Sequence, residues 1–355
     1  MVWTPLYAKI HRTIRSRHLF ERKQRLLVAV SGGQDSLCLI KLLLDLQSKW
    51  GWHLGVAHCD HRWRADSQAN AQHVESLAKT WNIPFYLATV ETEELASLQS
   101  EAAARNWRYQ ALSAIAQQHN YNCIVTGHTA SDRAETLLYN LIRGTGADGL
   151  QALTWRRSLV DNIVLVRPLL ELTRAETEVF CQENQLPIWE DSTNQDLKYA
   201  RNRIRQELIP YLREHFNPQV ESALAQTAEL LQAEVEYLEK AAQKLKEEAM
   251  SEEKKDAETT RRRESLSLSP ALPLSPSFSP LPLKLNRRIL REAPLALQRR
   301  VMRQVLQQIL PDAPNFEQIE KLTALITAPN RSQTDPFPGG AIAQVQGDWI
   351  WIRKL

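Results

Sequence analysis

The sequence predicts an α/β fold, a doubly wound parallel sheet, followed by a mainly helical C-terminal module. Two observations predict it. Short β-rich apolar runs alternate with longer helical stretches over residues 25–127, and helical periodicity returns after residue 284. The length of 355 residues leaves room for two or three domains of about 100–200 residues each. Hydrophobic residues make up 43% of the chain and charged residues 24%, which favours a packed core over disorder.

The first half of the chain supplies the parallel sheet. Strands are predicted at Leu26–Val30, Leu54–His58, Phe85–Thr89 and Cys123–Gly127, with helices between them at Asp35–Trp50, Asp66–Trp81 and Leu98–His119. Parallel strands of this kind bind ligands at their carboxyl ends. We therefore expect Ser31–Ser36, His58–His61 and Gly127–Glu135 to lie along one rim.

The second half divides into four segments by composition. A strand at Ile163–Arg167, a helix from Thr173 to about Asn184, a polar loop at Asp191–Arg205 and a helix at Ile204–His215 complete a domain of residues 1–216. A long connecting helix follows at 217–250, which could dimerise or pack locally. A Pro/Ser-rich linker is predicted at 251–283. Residues 284–355 then form helices and a hairpin, with strands Ala341–Gln346 and Asp348–Arg353.

Composition excludes several classes of protein. No apolar run reaches the length of a membrane helix, and the N-terminus has no secretory signal. The 4 cysteines contain no CxxC pair, which argues against a disulfide framework or a zinc ribbon and favours a cytoplasmic location. Seven basic residues lie between Lys9 and Arg25, and another seven between Lys284 and Arg303, with a single acid in each stretch. Such clusters suggest a polyanionic partner, although charged surface helices would look alike.

The strongest motif is VAVSGGQDS at Val28–Ser36, where an apolar strand leads through two glycines into a helix. Glycines let the backbone pass close to a phosphate, and a helix N-terminus offers free N–H groups to an anion. The loop is neither a Walker A motif nor a GxGxxG fingerprint. Asp35, beside the phosphates, is the candidate Mg²⁺ ligand, and the same residue could simply cap the helix.

A second set of polar residues follows the fourth strand. His128, Asp132 and Glu135 would share one helix face if the helix began near Gly127. Two carboxylates and a histidine suit a cationic amine, although an ordinary solvent-facing helix is the plain alternative. His58, Asp60 and His61 are interpreted as nucleotide and substrate contacts rather than metal ligands.

Several arginines could contact anions. Arg105, within a predicted helix, could reach a phosphate or a carboxylate, or form a structural ion pair. Arg201, Arg203 and Arg205 form a basic cluster with Asn202 and Tyr199, which suits RNA phosphates and an unstacked base.

These motifs together carry a family resemblance. SGGQDS resembles the pyrophosphate (PP) loop of the N-type ATP pyrophosphatases, which have a Rossmann-like fold and split ATP between its α and β phosphates. AHCDHRWRADS, GHTASDRAET, RGTGADGL, RPLLELTRAE and DSTNQDLKYARNRIR narrow the resemblance to the tRNA(Ile)-lysidine synthase family over roughly residues 25–216. One departure is Trp63, which stands where the family's H.LR pattern usually has leucine.

The resemblance implies an ATP- and Mg²⁺-dependent ligase that joins L-lysine to C2 of the wobble cytidine of the isoleucine tRNA with a CAU anticodon. By this resemblance Asp35, His128, Asp132 and Glu135 are the catalytic candidates, and Asp35 is also the metal ligand. Lysine would be bound by Asp132, Glu135 and Arg105. ATP would be bound by Ser31, Gly32, Gly33, Gln34, Asp35, Ser36, His58 and Gly127. The tRNA would contact Arg201, Arg203, Arg205, Arg287 and Arg288.

Two rival functions stay open at this point. A tRNA thiolase of the same superfamily would need a persulfide cysteine or an iron–sulfur cluster, and Cys59 is the cysteine nearest the predicted rim. A non-catalytic ATP-binding sensor would need neither the acidic set nor the basic clusters. ATP turnover that depends on both tRNA and lysine would support ligation over these two rival functions.

Overall fold

The computed structural model describes residues 4–63, 66–91, 100–189, 197–258 and 282–354. Arg64, the first residues of the DSTN segment and most of the predicted linker lie outside them. The chain divides into two compact units, Met1–Gln232 and Ala233–Leu355. The domain boundaries drawn from composition stay a prediction.

The first unit is built on a six-stranded sheet. Its strands are β1 (Arg25–Ala29), β2 (His53–Asp60), β3 (Phe85–Thr89), β4 (Cys123–Thr126), β5 (Arg156–Val160) and β6 (Ile163–Val166). The spatial order is β3-β2-β1-β4-β6-β5, and all neighbours are parallel except β5, which runs antiparallel to β6. In register, Val28 pairs with Val56 on one side and Val125 on the other. The predicted doubly wound α/β fold is confirmed.

Helices cover both faces of this sheet. They are α1 (Pro5–Ser16), α2 (Gln34–Trp50), α3 (Ser67–Thr80), α4 (Glu101–Gln118), α5 (Ala130–Ile142), α6 (Ala147–Leu150), α7 (Arg174–Glu183), α8 (Ala200–Arg203) and α9 (Ile209–His215). Leu26 and Val28 pack with Leu37 and Leu39 on one face. Leu27 packs with Leu112 of α4 on the other. The strands are apolar on both sides because both faces are buried.

Residues 200–215 form one helical run, which corrects the loop predicted up to Arg205. A π-helical turn, Ile204–Leu208, joins α8 to α9 just before Pro210. Proline has no N–H to donate to the preceding turn, and a widened turn accommodates that loss.

The first basic cluster begins on α1 and continues past its end at Ser16, and two of its side chains pair within the protein. Lys9 pairs with Glu176 at 2.8 Å, and Arg17 pairs with Glu229 at 2.6 Å and with Glu171 at 3.2 Å. These two side chains hold α1 in place, so they are not the free phosphate contacts that the charge pattern suggested.

The second unit combines helices with a three-stranded antiparallel sheet. The long helix α10 (Val220–Glu258) extends beyond its predicted end at residue 250 and contains the boundary between the units. The other elements are β7 (Leu283–Asn286), α11 (Arg287–Glu292), α12 (Leu295–Ile309), α13 (Phe316–Ala324), β8 (Ala341–Gln346) and β9 (Trp349–Lys354). The predicted hairpin is β8–β9, and β7 adds a third strand beside β9. Buried residues such as Leu285, Val301, Val305 and Ile350 form its core.

No helix in the described part of the chain is long and apolar enough to cross a membrane.

Candidate active site

The loop Ser31–Ser36 lies at the carboxyl end of the central strand, β1, and is fixed from two sides. Gly32 has a φ of +88°, and a Cβ there would lie 2.5 Å from Asn70 Oδ1. The Asn70 side-chain amide donates to the Ser31 carbonyl at 3.0 Å, and the backbone N–H of Trp189 donates to the Gly32 carbonyl at 3.0 Å. Glycine is therefore needed at position 32 both for its backbone angle and for space.

The loop presents donors where an anion would sit. The Ser36 hydroxyl donates to the Gly33 carbonyl at 2.8 Å and lies 3.3 Å from the Ser31 hydroxyl. Helix α2 begins at Gln34, and its N-cap residue, Gly33, has no side chain to satisfy the first N–H groups. Those N–H groups and the helix dipole are an arrangement that can bind a phosphate.

Asp35 is held by helix α7. Its two carboxylate oxygens accept hydrogen bonds from Arg174 Nε at 3.0 Å and from the Thr177 hydroxyl at 2.5 Å. Burial raises the pKa of Asp35 although Arg174 opposes the shift. The capping box of Thr173 and Glu176 starts α7 at the point that brings Arg174 and Thr177 to this carboxylate.

The other ATP candidates divide into two groups. Gly127 contacts the loop backbone directly, since a Cβ there would lie 2.7 Å from the Asp35 carbonyl oxygen. His58 is buried with Nδ1 2.8 Å from the Val30 carbonyl. The Gln34 amide, in contrast, donates to the Arg174 carbonyl at 2.7 Å and the Thr177 hydroxyl at 2.8 Å, so its side chain faces α7. Only the backbone of Gln34 is placed to meet a nucleotide.

The acidic set does not lie on one helix face as predicted. Helix α5 begins at Ala130, because Thr129 and Asp132 form a capping box, and His128 precedes the helix. Asp132 Oδ2 accepts from the Thr129 N–H at 2.8 Å. Burial opposes ionisation of Asp132, but His128, Arg174 and this N–H favour it in that order, and the pKa of Asp132 is lowered.

Arg205, which lies in the π-helical turn, pairs with the two carboxylates of the acidic set. Its Nε and one Nη donate to the two Glu135 oxygens at 2.6 and 2.8 Å, and the same Nη is 3.4 Å from Asp132 Oδ1. Burial alone would lower the pKa of Arg205, but the Glu135 bonds outweigh it and raise the pKa. The prediction that Arg205 meets tRNA phosphates is therefore corrected: its guanidinium is committed to two carboxylates inside the unit.

His128 contributes a neutral imidazole. Its Nδ1 lies 2.9 Å from the Thr126 hydroxyl, at the end of β4. Burial, followed by the charge of Arg167, lowers the pKa of His128 to about 3. The ring is therefore uncharged at neutral pH and a weak base.

Several arginine side chains lie on the side of the site that α4 forms. Arg105 lies over the Tyr109 ring at 5.7 Å, and Arg157 lies over the same ring at 5.0 Å. Burial alone would raise the pKa of Tyr109, but the charges of Arg105 and Arg167 outweigh burial and lower it. Arg108 and Tyr109 line the cleft, whereas Arg105 packs beside Tyr109. Among the described residues, Arg108 is thus better placed than the predicted Arg105 to touch a ligand.

One cleft of about 450 Å³ brings these groups together. It is lined by the phosphate loop, by the ends of β2 and β4, and by side chains of α3, α4, α5 and α7. Asp35, His128, Asp132 and Arg205 line it, and Glu135 lies behind them, paired to Arg205. A loop suited to an anion and an acidic set suited to a cation therefore share one space.

The remaining candidate tRNA contacts are not alike. Arg201 lies over the Tyr139 ring at 5.7 Å, and exposed Arg203 donates to the Leu197 carbonyl at 3.0 Å. Arg287 is 7% exposed and donates to the Ile326 and Ala328 carbonyls at 3.0 and 2.6 Å, so this candidate is wrong: its guanidinium holds the backbone of the second unit. Arg288 is exposed and pairs with Asp348 at 2.8 Å.

No group of three His, Cys, Asp or Glu side chains among the described residues could hold a metal ion by itself. Mg²⁺ commonly takes one or two carboxylates and completes its shell with substrate phosphates and water. Each carboxylate oxygen of Asp35 accepts one hydrogen bond and keeps a further lone pair. The residues fit a cation held mainly by a nucleotide's phosphates, with Asp35 as its protein ligand.

Sequence reasoning missed the residues that fix the site from a distance. Arg174 and Thr177 hold Asp35, and Asn70 and Trp189 hold the phosphate loop. Thr173-x-x-Glu176 and Thr129-x-x-Asp132 were readable as helix starts. The contacts of Asn70 and Trp189 depend on tertiary structure and left no local signal.

Comparisons with known protein families match both parts of the chain. A PP-loop domain family matches residues 5–212. The TilS substrate binding domain matches residues 285–351.

The chain is also similar to named proteins over its whole length. A tRNA(Ile)-lysidine synthase of Nostoc sp. is 74% identical over 354 residues, covering 100% of this chain and 98% of the relative. A tRNA(Ile)-lysidine synthase of Synechocystis sp. is 49% identical over 356 residues, covering 99% and 98%. Among solved structures, a U34-tRNA thiolase of Methanococcus maripaludis with a [4Fe-4S] cluster superposes with a TM-score of 0.55 at 13% identity, covering 64% of this chain and 78% of the other. That likeness concerns the fold.

Proposed function

This chain belongs to the tRNA(Ile)-lysidine synthase family, and from that premise we propose how its cleft carries out the reaction. The protein is a ligase that uses ATP to join L-lysine to C2 of the wobble cytidine in the isoleucine tRNA with a CAU anticodon, releasing AMP and diphosphate. One observation carries the proposal: the phosphate loop at the end of β1 and the carboxylate of Asp132 line the same cleft of about 450 Å³. Activation by ATP and attack by an amine can therefore follow one another without transfer between sites.

In the first step, the O2 oxygen of the cytidine attacks the α-phosphate of ATP, and diphosphate leaves. The N–H groups of the first turn of α2 and the hydroxyls of Ser31 and Ser36 hold the phosphates. A divalent cation, when bound, would offset phosphate charge, with Asp35 as its protein ligand. Arg174, beside Asp35, is placed to balance the charge that develops on the phosphates.

In the second step, the lysine ε-amine attacks C2 of the adenylated cytidine and AMP leaves. Carboxylates of the acidic set would bind the ammonium groups of lysine, with Asp132 facing the cleft and Glu135 behind it. Arg205 already neutralises part of this charge, so the subsite holds one cation permanently and receives a second with the substrate.

The ε-ammonium must lose a proton before it can attack, since its ordinary pKa is about 10.4. His128 lies in the cleft with its Nδ1 beside the Thr126 hydroxyl, but a pKa of about 3 makes its imidazole too weak a base to take a proton from an ammonium group. Asp132 lines the same cleft as a carboxylate and would hold the ammonium. Asp132 is thus proposed as the lysine ligand and His128 as a neutral hydrogen-bonding contact, with the ε-proton passing to solvent before the amine attacks.

The thiolase alternative is disfavoured by the cysteines. Cys59 lines the cleft, but burial raises the pKa of its thiol to about 12, so the thiolate needed for sulfur transfer would be scarce. Cys38, Cys123 and Cys181 are buried. A sensor that only binds ATP would not require the Asp132–Glu135–Arg205 set beside the phosphates.

The proposal is tested by following AMP and diphosphate with ATP and Mg²⁺ present. We expect diphosphate release to require the CAU isoleucine tRNA, and AMP release to require both this tRNA and lysine. A matched tRNA whose wobble cytidine is replaced by uridine serves as the control and should give neither product. AMP release that depends on a sulfur donor instead of lysine would contradict ligation.

A further inference from the structure

A tryptophan at the mouth of the cleft has no role in the chemistry described above. Trp63 follows β2 at the carboxyl edge of the sheet, lines the cleft and is 45% exposed. A single exposed aromatic side chain is common on protein surfaces, so the groups around the indole decide whether it has a ligand.

The backbone before Trp63 is fixed in a tight turn. The Asp60 carboxylate accepts from the Arg62 N–H at 2.8 Å, and Arg62 has a φ of +53°. Asp60 itself is only 7% exposed, so the turn is anchored in the body of the protein. The indole is therefore presented from a defined position at the mouth.

One side of the indole faces a fixed, uncharged ring. The His61 ring centroid lies 5.5 Å from that of Trp63 with 34° between the planes, and 4.8 Å from that of Trp107. His61 Nε2 accepts from Arg108 Nε and Nη at 3.2 Å. Burial, followed by the Arg108 charge, lowers the pKa of His61 to about 4. His61 thus supports Trp63, and the exposed part of the indole is left for a ligand.

The groups beside Trp63 are cationic. The side chains of Arg62 and Arg108 are both exposed, and both line the cleft. A flat π-surface flanked by guanidinium groups is typical of sites for single-stranded nucleic acid, in which bases stack on aromatic rings while phosphates meet arginine. ATP is small enough to enter the cleft, whereas an RNA loop must remain at the mouth, where the exposed indole lies.

We propose that Trp63 stacks on a base of the tRNA anticodon loop adjacent to the wobble cytidine, and so holds the loop while the cytidine enters the cleft. This inference rests on the proposed function. Stacking on Trp63 offsets part of the cost of separating the cytidine from its neighbour in the loop. The indole acts on substrate position and takes no part in bond formation.

The test uses the full chain and an anticodon stem-loop RNA of the CAU isoleucine tRNA, with 2-aminopurine placed on one or the other side of the wobble position. We expect wild-type protein to quench the probe in one of these RNAs. Trp63→Leu should lose the quenching and weaken binding by about 5- to 150-fold, the range for loss of one stacked base. Trp63→Phe keeps a π-face and should retain most of both signals.

The dependence of RNA binding on salt concentration distinguishes a stacking contact from an electrostatic one. Binding by Trp63→Leu should be weaker by a similar factor at low and high salt, whereas Arg62→Gln should reduce the dependence of binding on salt. The KM for ATP should be unchanged in Trp63→Leu. A raised KM for ATP with unchanged RNA affinity would overturn the inference, because the indole would then stack on adenine.

Failure of the inference and of the proposed function are distinguishable. If wild-type protein ligates lysine and Trp63→Leu matches it in RNA affinity, quenching and KM for tRNA, only the role of Trp63 is refuted. A wild-type chain that neither binds the stem-loop nor modifies the tRNA would refute the function, and the role of Trp63 with it.

Discussion

Arg205 grips Glu135 through two parallel hydrogen bonds of 2.6 and 2.8 Å, reaching from a π-helical turn into the start of α5. The Glu135 side chain is 4% exposed and that of Arg205 25%. This pair brings positive charge into the acidic set that we propose as the lysine subsite. The geometry of the site thus depends on an ion pair between segments that lie 70 residues apart.

Breaking that pair should destabilise the first unit. Glu135→Gln removes the bidentate partner of Arg205 and leaves its guanidinium with the longer 3.4 Å contact to Asp132, and we expect a loss of about 3 kcal/mol in the free energy of unfolding. Urea denaturation measures it. The control is Glu75→Gln, which removes the exposed i,i+4 partner of Lys79 and should cost less than about 1 kcal/mol. Equal effects of the two substitutions would contradict the role given to Arg205.

We expect turnover to depend on the charge of Asp35 and on the hydrogen bond by which Thr177 orients that carboxylate. Asp35→Asn keeps the shape of the side chain but removes the charge beside Arg174, and we expect kcat/KM to fall by about 100-fold or more. Thr177→Val removes the hydrogen bond to Asp35 and should cost about 10-fold. Steady-state diphosphate release measures both. If Thr177→Val were as severe as Asp35→Asn, Thr177 would do more than orient the carboxylate.

Gly127 should tolerate no side chain. In Gly127→Ala the new Cβ would meet the Asp35 carbonyl at 2.7 Å, which displaces the first turn of α2 and costs about 1–3 kcal/mol. Nucleotide affinity should fall as well, because those N–H groups form the phosphate site. Gly146→Ala is the matched control, since a Cβ there meets nothing within 4 Å. Isothermal titration with a non-hydrolysable ATP analogue and thermal unfolding compare the two variants.

Acid should destabilise the protein through two histidines. The folded-state pKa of His128 is lowered to about 3 and that of His61 to about 4, both chiefly by burial, from an ordinary value of 6.5. Below pH 6.5 the unfolded chain binds protons that the folded chain does not. The free energy of unfolding should therefore decrease as pH falls from 6.5 toward 4, by about 1.4 kcal/mol per pH unit for each histidine.

Urea midpoints between pH 4.5 and 7.5 measure this dependence. His128→Gln should remove about half of the slope. A slope that is the same in wild type and variant would show that His128 is protonated equally in both states.

The sequence predicted the parallel sheet well, because strands buried on both faces are continuous apolar runs, as in β1 and β4. It missed β5, whose residues Arg156–Val160 are mostly exposed and carry no alternation. It also missed β7, whose four residues, Leu283–Asn286, resemble the start of the following helix.

Within the site, local chemistry was predictable and long-range pairing was not. The glycine loop and its helix could be read directly, because phosphate sites have a strong local pattern. Arg205 was assigned to RNA because its neighbours in the sequence are basic, and only the folded chain brings it to Glu135. The predicted helix face containing His128 was wrong because Thr129 caps α5, a signal present in the sequence but not used.

The most direct test of lysine ligation is the mass of the wobble nucleoside after the CAU isoleucine tRNA is incubated with the protein, ATP, Mg²⁺ and lysine, then digested. We expect a cytidine heavier by one lysine less one water, formed by the wild-type chain and absent with Asp35→Asn. An unchanged cytidine, or a nucleoside that has gained sulfur, would contradict it.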